Sequence, residues 1–171
     1  GMYVKTSLIK KKNEQIYSFL VAYDSDKDFV MEMFNVGIEK GRIIQSGDKG
    51  IVAGYNYLVD GKIFDKGLDV NDNIEIDGEK FKIVGFLESI GNPQDDSQLY
   101  MDSEYFEELY PNTTSYMQIM AVADIDNLDR TVENIEKNLR KSRDLEKGKE
   151  DFYVQSFEDM IESFSSTRSE E

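Results

Sequence analysis

Seven residues able to hold a cation crowd into one short stretch: Asp69, Asn71, Asp72, Asn73, Glu75, Asp77 and Glu79. Oxygen ligands at alternate positions suit calcium, but an EF-hand loop counted from Asp69 requires Gly at its sixth position and Glu at its twelfth. The chain has Ile74 and Lys80 there. The same stretch alternates polar with apolar residues (Asn73, Ile74, Glu75, Ile76), which is the pattern of a strand with its carboxylates on the solvent face. Asp95 and Asp96 are a second acidic candidate. A hydrolase working with carboxylates alone needs two of them across a cleft, one desolvated. Adjacent acids in a polar loop are expected to be solvated instead.

The chain has no cysteine and no histidine. That removes thiolate nucleophiles, disulfides, Cys/His zinc sites, Ser-His-Asp relays and imidazole acid–base chemistry together. Neither G-x-G-x-x-G nor G-x-x-x-x-G-K-[ST] occurs, so no loop is spaced to cradle phosphates. No catalytic, cofactor-binding or metal-ligating residue is therefore expected. Asn112-Thr113-Thr114, just after Pro111, matches the N-glycosylation acceptor pattern and agrees with a location outside the cell. Lys10, Lys11 and Lys12 read as a hairpin tip rather than a nucleic-acid patch. Tyr55, Tyr57, Tyr100, Tyr116 and Met117 could serve a contact surface, though core packing is the reading their type favours.

The 171 residues carry 35 acidic and 20 basic side chains, a net charge of −15, which disfavours nucleic acid and anionic lipid as partners. An apolar share of 39% with ten Phe and ten Tyr supports a true core. No run of apolar residues is long enough to span a bilayer, and no signal peptide opens the chain. Gly1-Met2 reads as a cleavage scar, and the polar tail stops without a closing element, so an excised fragment is expected.

Residues 3–9 and 16–23 read as two strands around a polar turn. Phe29, Val30, Met33 and Phe34 have the spacing of a short helix face. Residues 37–50 are turn-rich; residues 51–53 form a brief strand, with helical turns over 55–59. Asp77-Gly78 between two apolar runs predicts a tight hairpin, because both residues tolerate positive φ. A strand at 99–101 precedes a helix capped by Asp102 and carrying Tyr105, Phe106, Leu109 and Tyr110. Residues 117–123 read as a buried strand. Leu128, Val132, Ile135 and Leu139 mark a helix with Asp126 as cap, and residues 152–155 a further strand. Ser156 and Asp159 then form a capping box ahead of Phe157, Met160, Ile161 and Phe164. Strand, helix, strand, helix is half of a split β-α-β layer. The expected fold is α+β: an α/β unit from residues 1–34 and 99–171, with a β-rich subdomain, 35–98, inserted in it.

Four segments in this order resemble a known family. Glu39-Lys40-Gly41-Arg42-Ile43 is similar to an "l-x-x-G-R" turn, and Ile51-Val52-Ala53-Gly54-Tyr55 to a "v-v-l-G" strand. Residues 69–78 parallel "l-G-D-x-I-x-I-x-G", with Asn71 in place of the glycine, and residues 81–87 match "f-x-V-V-G-i-l". With Tyr100-Met101-Asp102 and the segment after Gln155, the chain from about residue 17 to 164 resembles the MacB-like periplasmic core domain of ABC-transporter permeases, the group related to MacB, LolC/LolE and FtsX. That resemblance implies a non-enzymatic domain outside the cytoplasmic membrane, with an α/β porter part and a β-rich insert. Its implied partners are the transmembrane helices of the same permease, a second permease subunit, a cytoplasmic ATPase acting indirectly, and an extracytoplasmic adaptor or substrate. A stand-alone extracellular module binding a peptide or lipid is the alternative.

Overall fold

A computed structural model describes residues 1–26, 36–156 and 158–159. The chain divides into two compact units, Gly1–Met120 and Ala121–Glu171. Among the described residues, seven strands belong to the first: β1 (Met2–Lys11), β2 (Glu14–Tyr23), β3 (Ile38–Gly41), β4 (Ile51–Ala53), β5 (Asn73–Ile76), β6 (Glu79–Leu87) and β7 (Leu99–Asp102). β1 and β2 make the expected hairpin, paired from Met2 opposite Tyr23 to Lys11 opposite Glu14. At its tip Lys12 takes φ +54°.

The pairings close on themselves. β1 pairs β2, β2 pairs β7 in parallel, β7 pairs β4, β4 pairs β6 in parallel, β6 pairs β5, and β5 returns to β1. β6 makes this possible because its length is used twice. Residues 79–82 pair β5, while its far half holds β4 on one side and β3 on the other. A closed ring leaves few unpaired strand edges.

The period of two sorts the side chains. Ile9, Leu20, Ala22, Ile51, Ala53, Ile74, Ile76, Phe81, Ile83, Leu99 and Met101 form one buried cluster. Val21, Tyr23, Val52, Tyr100 and Leu87, on the opposite face, form another with Ile44, against which Ile43 and Met120 also pack. β4 and β7 are thus buried on both faces, which is why they read as continuous apolar runs. An irregularity on β6, where Ile51 faces Ile83 but Val52 faces Gly85, resets the alternation and returns Phe86 to the first cluster.

Helix α1 (Ser103–Leu109) starts where expected: the Asp102 carboxylate accepts the Glu104 N–H at 3.1 Å. It presents buried Phe106 to Tyr3, with ring centroids 5.0 Å apart and planes 15° from parallel. Tyr105, Leu109 and Tyr110 pack against the same core. A 3-10 turn, Tyr55–Leu58, follows β4 and contributes buried Tyr57.

In the second unit, helix α2 (Leu128–Ser142) carries the expected apolar spacing, yet none of its residues is buried. Its cap is Asn127, which makes no side-chain capping bond, rather than Asp126. The loop after it is held by Arg140 to Glu150 at 2.8 Å and by Arg143 to Asp151 at 2.5 Å. The capping box is present: the Ser156 N–H and Oγ–H both donate to Asp159 Oδ2, and the Asp159 N–H donates to Ser156 Oγ.

The class is mixed α and β, as expected, but several elements differ. Residues 117–123 are not a strand; Gln118 makes one bridge to Met2, and Met117, Ile119 and Val122 are exposed. Residues 152–155 are not a strand either. The split β-α-β half-layer is therefore absent among the described residues. β3 was not expected within 37–50. Among the described residues its four residues join the sheet through β6 alone, with nothing alternating in Ile38-Glu39-Lys40-Gly41 to announce it. The short helix expected around Phe29, Val30, Met33 and Phe34 lies outside the described residues. The sheet draws strands from either side of the expected boundaries near 34 and 98, since β1 pairs β5 and β4 pairs β7.

Candidate functional site

The acidic stretch folds into the hairpin its sequence predicts. Asp77 and Gly78 take φ of +50° and +96°, and Asn73 to Ile76 pair with Lys82 to Glu79. Asn71, standing where the related motif has glycine, takes φ +72°, a region Asn reaches with little strain.

The carboxylates are engaged with lysines. Lys40 reaches Asp69 at 2.8 Å, Lys11 reaches Asp72 at 3.0 Å, Lys10 reaches Glu75 at 3.7 Å and Lys5 reaches Asp77 at 2.6 Å. Asp69 and Asp72 are also turned onto backbone, accepting the Val70 and Asp69 N–H groups. Among the described residues no group of three or more acidic side chains is placed to hold a metal. The lysine triplet is a hairpin tip whose first two members anchor this acidic strand.

Asp77 is the densest node. Its carboxylate accepts the Leu8 N–H at 2.9 Å, the Lys5 ammonium at 2.6 Å and the Tyr110 hydroxyl at 2.9 Å. It ties the β5–β6 turn to the middle of β1 and to the end of α1. Partial burial pulls its pKa up, but bonds from Lys5, Leu8, Tyr110 and Ser7 outweigh that and hold it at about 2. Tyr110 is pushed up, first by burial and then by the neighbouring carboxylate. The Lys5 ammonium also lies 4.6 Å from the Tyr110 ring centre. A carboxylate this firmly ionised and shared among three donors is a structural lock, not a proton carrier. The sequence signals its turn but not its partners, which lie 69 and 33 positions away in the chain.

Asp95 and Asp96 do not act as a pair. Asp96 is buried and accepts the Ser89 hydroxyl at 2.8 Å and the Ile90 N–H at 2.7 Å, which fastens the 89–97 loop. Asp95 accepts from the Gln98 amide at 2.9 Å. The expectation that both are solvated is corrected: burial of Asp96 is offset by its donors. Of the aromatic and Met candidates, Tyr57 and Tyr100 are core, whereas Tyr116 and Met117 are 46% and 75% exposed. A shallow depression of about 240 Å³ beside Asp24, Asp26 and Glu104 is acidic, and Asp102 at its wall is already the α1 cap, bonded also to Ser25.

Two glycines of the related motifs are explained by close approaches. A Cβ on Gly85 would fall 2.1 Å from the Arg42 carbonyl oxygen, and one on Gly54 2.4 Å from that of Asp96. Arg42 itself clasps Asp48 through both guanidinium nitrogens.

The acidic and polar candidates described above make ties within the fold, and comparison with known proteins identifies the family. The model of the MacB-like periplasmic core domain matches residues 4–138, and the chain belongs to that family. An uncharacterized ABC transporter permease of Methanocaldococcus jannaschii is 31% identical over 168 residues, covering 97% of this chain. The chain spans only 41% of that relative's length. The extracellular domain of the noncanonic ABC-type transporter YknZ from Gram-positive bacteria superposes with a TM-score of 0.69 at 16% identity, over 91% of this chain and 79% of that one. The periplasmic region of MacB from Actinobacillus actinomycetemcomitans gives 0.63 at 11%, over 96% and 73%. Family membership makes this a non-enzymatic domain on the extracytoplasmic side of a membrane permease. No helix among the described residues is long and apolar enough to cross a membrane.

Proposed function

We propose that this domain relays ATPase-driven motion of a permease to a substrate or partner outside the membrane. The relatedness to a permease along 97% of the chain carries the reading. The strand ring and the Asp77 lock support it, since a lever must resist deformation. In this reading the chain is joined to transmembrane helices of its own permease, faces a second permease subunit, and answers to a cytoplasmic ATPase.

These 171 residues hold no cysteine, so once any cysteine elsewhere in the permease is replaced a single label site can be introduced. A single cysteine at exposed Lys80 of the full-length permease, assembled with its ATPase in lipid nanodiscs, takes a spin label. Distances between labels on the two subunits are expected to shift between nucleotide-free and ATP-trapped states. An unchanged distance distribution from Lys80 and from a second label site at Glu108 would refute the relay.

A further inference from the structure

The acceptor triplet noted in the sequence occupies a place that the fold leaves open. Pro111 and Asn112 form a turn just past α1, closed by the Thr113 N–H on the Tyr110 carbonyl at 2.9 Å. Asn112 and Thr114 are exposed and Thr113 is half-buried. Among the described residues neither the Asn112 carboxamide nor the Thr114 hydroxyl has a hydrogen-bond partner. From Pro111 to Tyr116 the backbone belongs to no helix or strand. A modifying enzyme could therefore draw the segment into an extended groove without opening the sheet. The middle residue is Thr113, not proline, and no other Asn in the chain has Ser or Thr two positions on.

We propose that Asn112 is an N-glycosylation site of this extracytoplasmic domain. The donor is an oligosaccharide linked through phosphate to a polyprenyl lipid. Asn112 Nδ2 bonds to C1 of the first sugar as the C1–O bond to phosphate breaks. The polyprenyl phosphate or diphosphate leaves with the bonding electrons, and Nδ2 gives up one proton to a base of the transferase. Thr114 supplies the hydroxyl by which the acceptor is recognised. The family assignment puts the domain on the side of the membrane where such lipid-linked donors are used, so location and exposed turn agree.

The test is made on the full-length permease purified from membranes of the organism that encodes it. Mass spectrometry of the peptide spanning Asn112 is expected to show a species heavier by a sugar chain. The addition should vanish in Asn112→Gln and Thr114→Ala and persist in Thr114→Ser. Because neither side chain is bonded within the fold, all three variants should reach wild-type levels and melt within about 1 °C of it. An unmodified peptide as the sole species, or modification surviving Thr114→Ala, overturns the proposal. Labelling of spheroplasts with a membrane-impermeant amine reagent separates this failure from one of location: labelled but unglycosylated protein rejects the site alone.

Discussion

At the scale of single residues, Asp77 shows how a group that looks chemical is structural. Its pKa is about 2 in the folded chain and about 3.9 in an unfolded one. A depressed acid contributes stability above the unfolded value, and that stability is lost as pH falls through the folded value. Full linkage would be worth about 2.6 kcal/mol, but with 27% of the side chain in water, screening reduces this to about 1 kcal/mol. Urea unfolding at pH 7 should show Asp77→Asn less stable by about 1 kcal/mol. Between pH 4 and 2 the wild-type protein should lose more stability than the variant, since the variant has no such carboxylate to protonate. Identical acid limbs for the two would remove Asp77 from this role. Gly85 makes a sterically simpler case. A methyl group 2.1 Å from the Arg42 carbonyl forces β6 and the β3–β4 loop apart. Gly85→Ala should cost about 2 kcal/mol or more in the same measurement.

At the scale of elements, α1 is fixed by one side chain and its cap more than by its own helicity, since seven residues are too few to be helical alone. Phe106→Ala should cost about 3–5 kcal/mol in denaturant midpoint measurements, and hydrogen exchange at 103–109 should rise with it. Tyr17→Ser, on the outward face of β2 at 71% exposure, should stay within about 0.5 kcal/mol of wild type. The reversal of these two magnitudes would mean that the sheet face at Tyr17 is covered. α1 was legible because its cap, its apolar face and Pro111 agree, and the β5–β6 hairpin was legible because Asp77-Gly78 demands positive φ. Residues 117–123 misled because a run of Met, Ile, Met, Ala and Val fits a buried strand by composition alone. Pairing is not in the run itself: Met117 and Gln118 bond to Met2 alone, and the segment makes a single bridge rather than a ladder among the described residues. Ring closure was illegible for the same reason, since it depends on β6 turning from β5 to β4 at an irregularity set by Val84 and Gly85. Burial of Asp96 depends on Ser89 and Ile90 folding back over it, which spacing does not encode.

At the scale of the whole molecule, charge is the term that the ion pairs leave unbalanced. Each exposed pair is worth about 0–1 kcal/mol and weakens with salt. The net charge of −15 works in the opposite direction, because self-repulsion disfavours the compact state and salt relieves it. The two effects can be ranked. A lysine within 3 Å of its carboxylate, as in Lys5–Asp77 at 2.6 Å, lies inside any screening length reached in ordinary buffers. The uncompensated charges interact over longer distances, where a screening length falling from about 30 Å at about 0.01 M salt to about 10 Å at about 0.1 M removes most of the repulsion. Thermal melts at neutral pH should therefore rise by about 2–4 °C across that range, equivalent to about 1 kcal/mol for a chain of this size. A fall in melting temperature would mean that the lysine–carboxylate ties of the hairpins dominate the molecule's electrostatics. The same excess predicts no sedimentation with anionic lipid vesicles at about 0.15 M salt, because a net charge of −15 is repelled by an anionic surface over the screening length that remains.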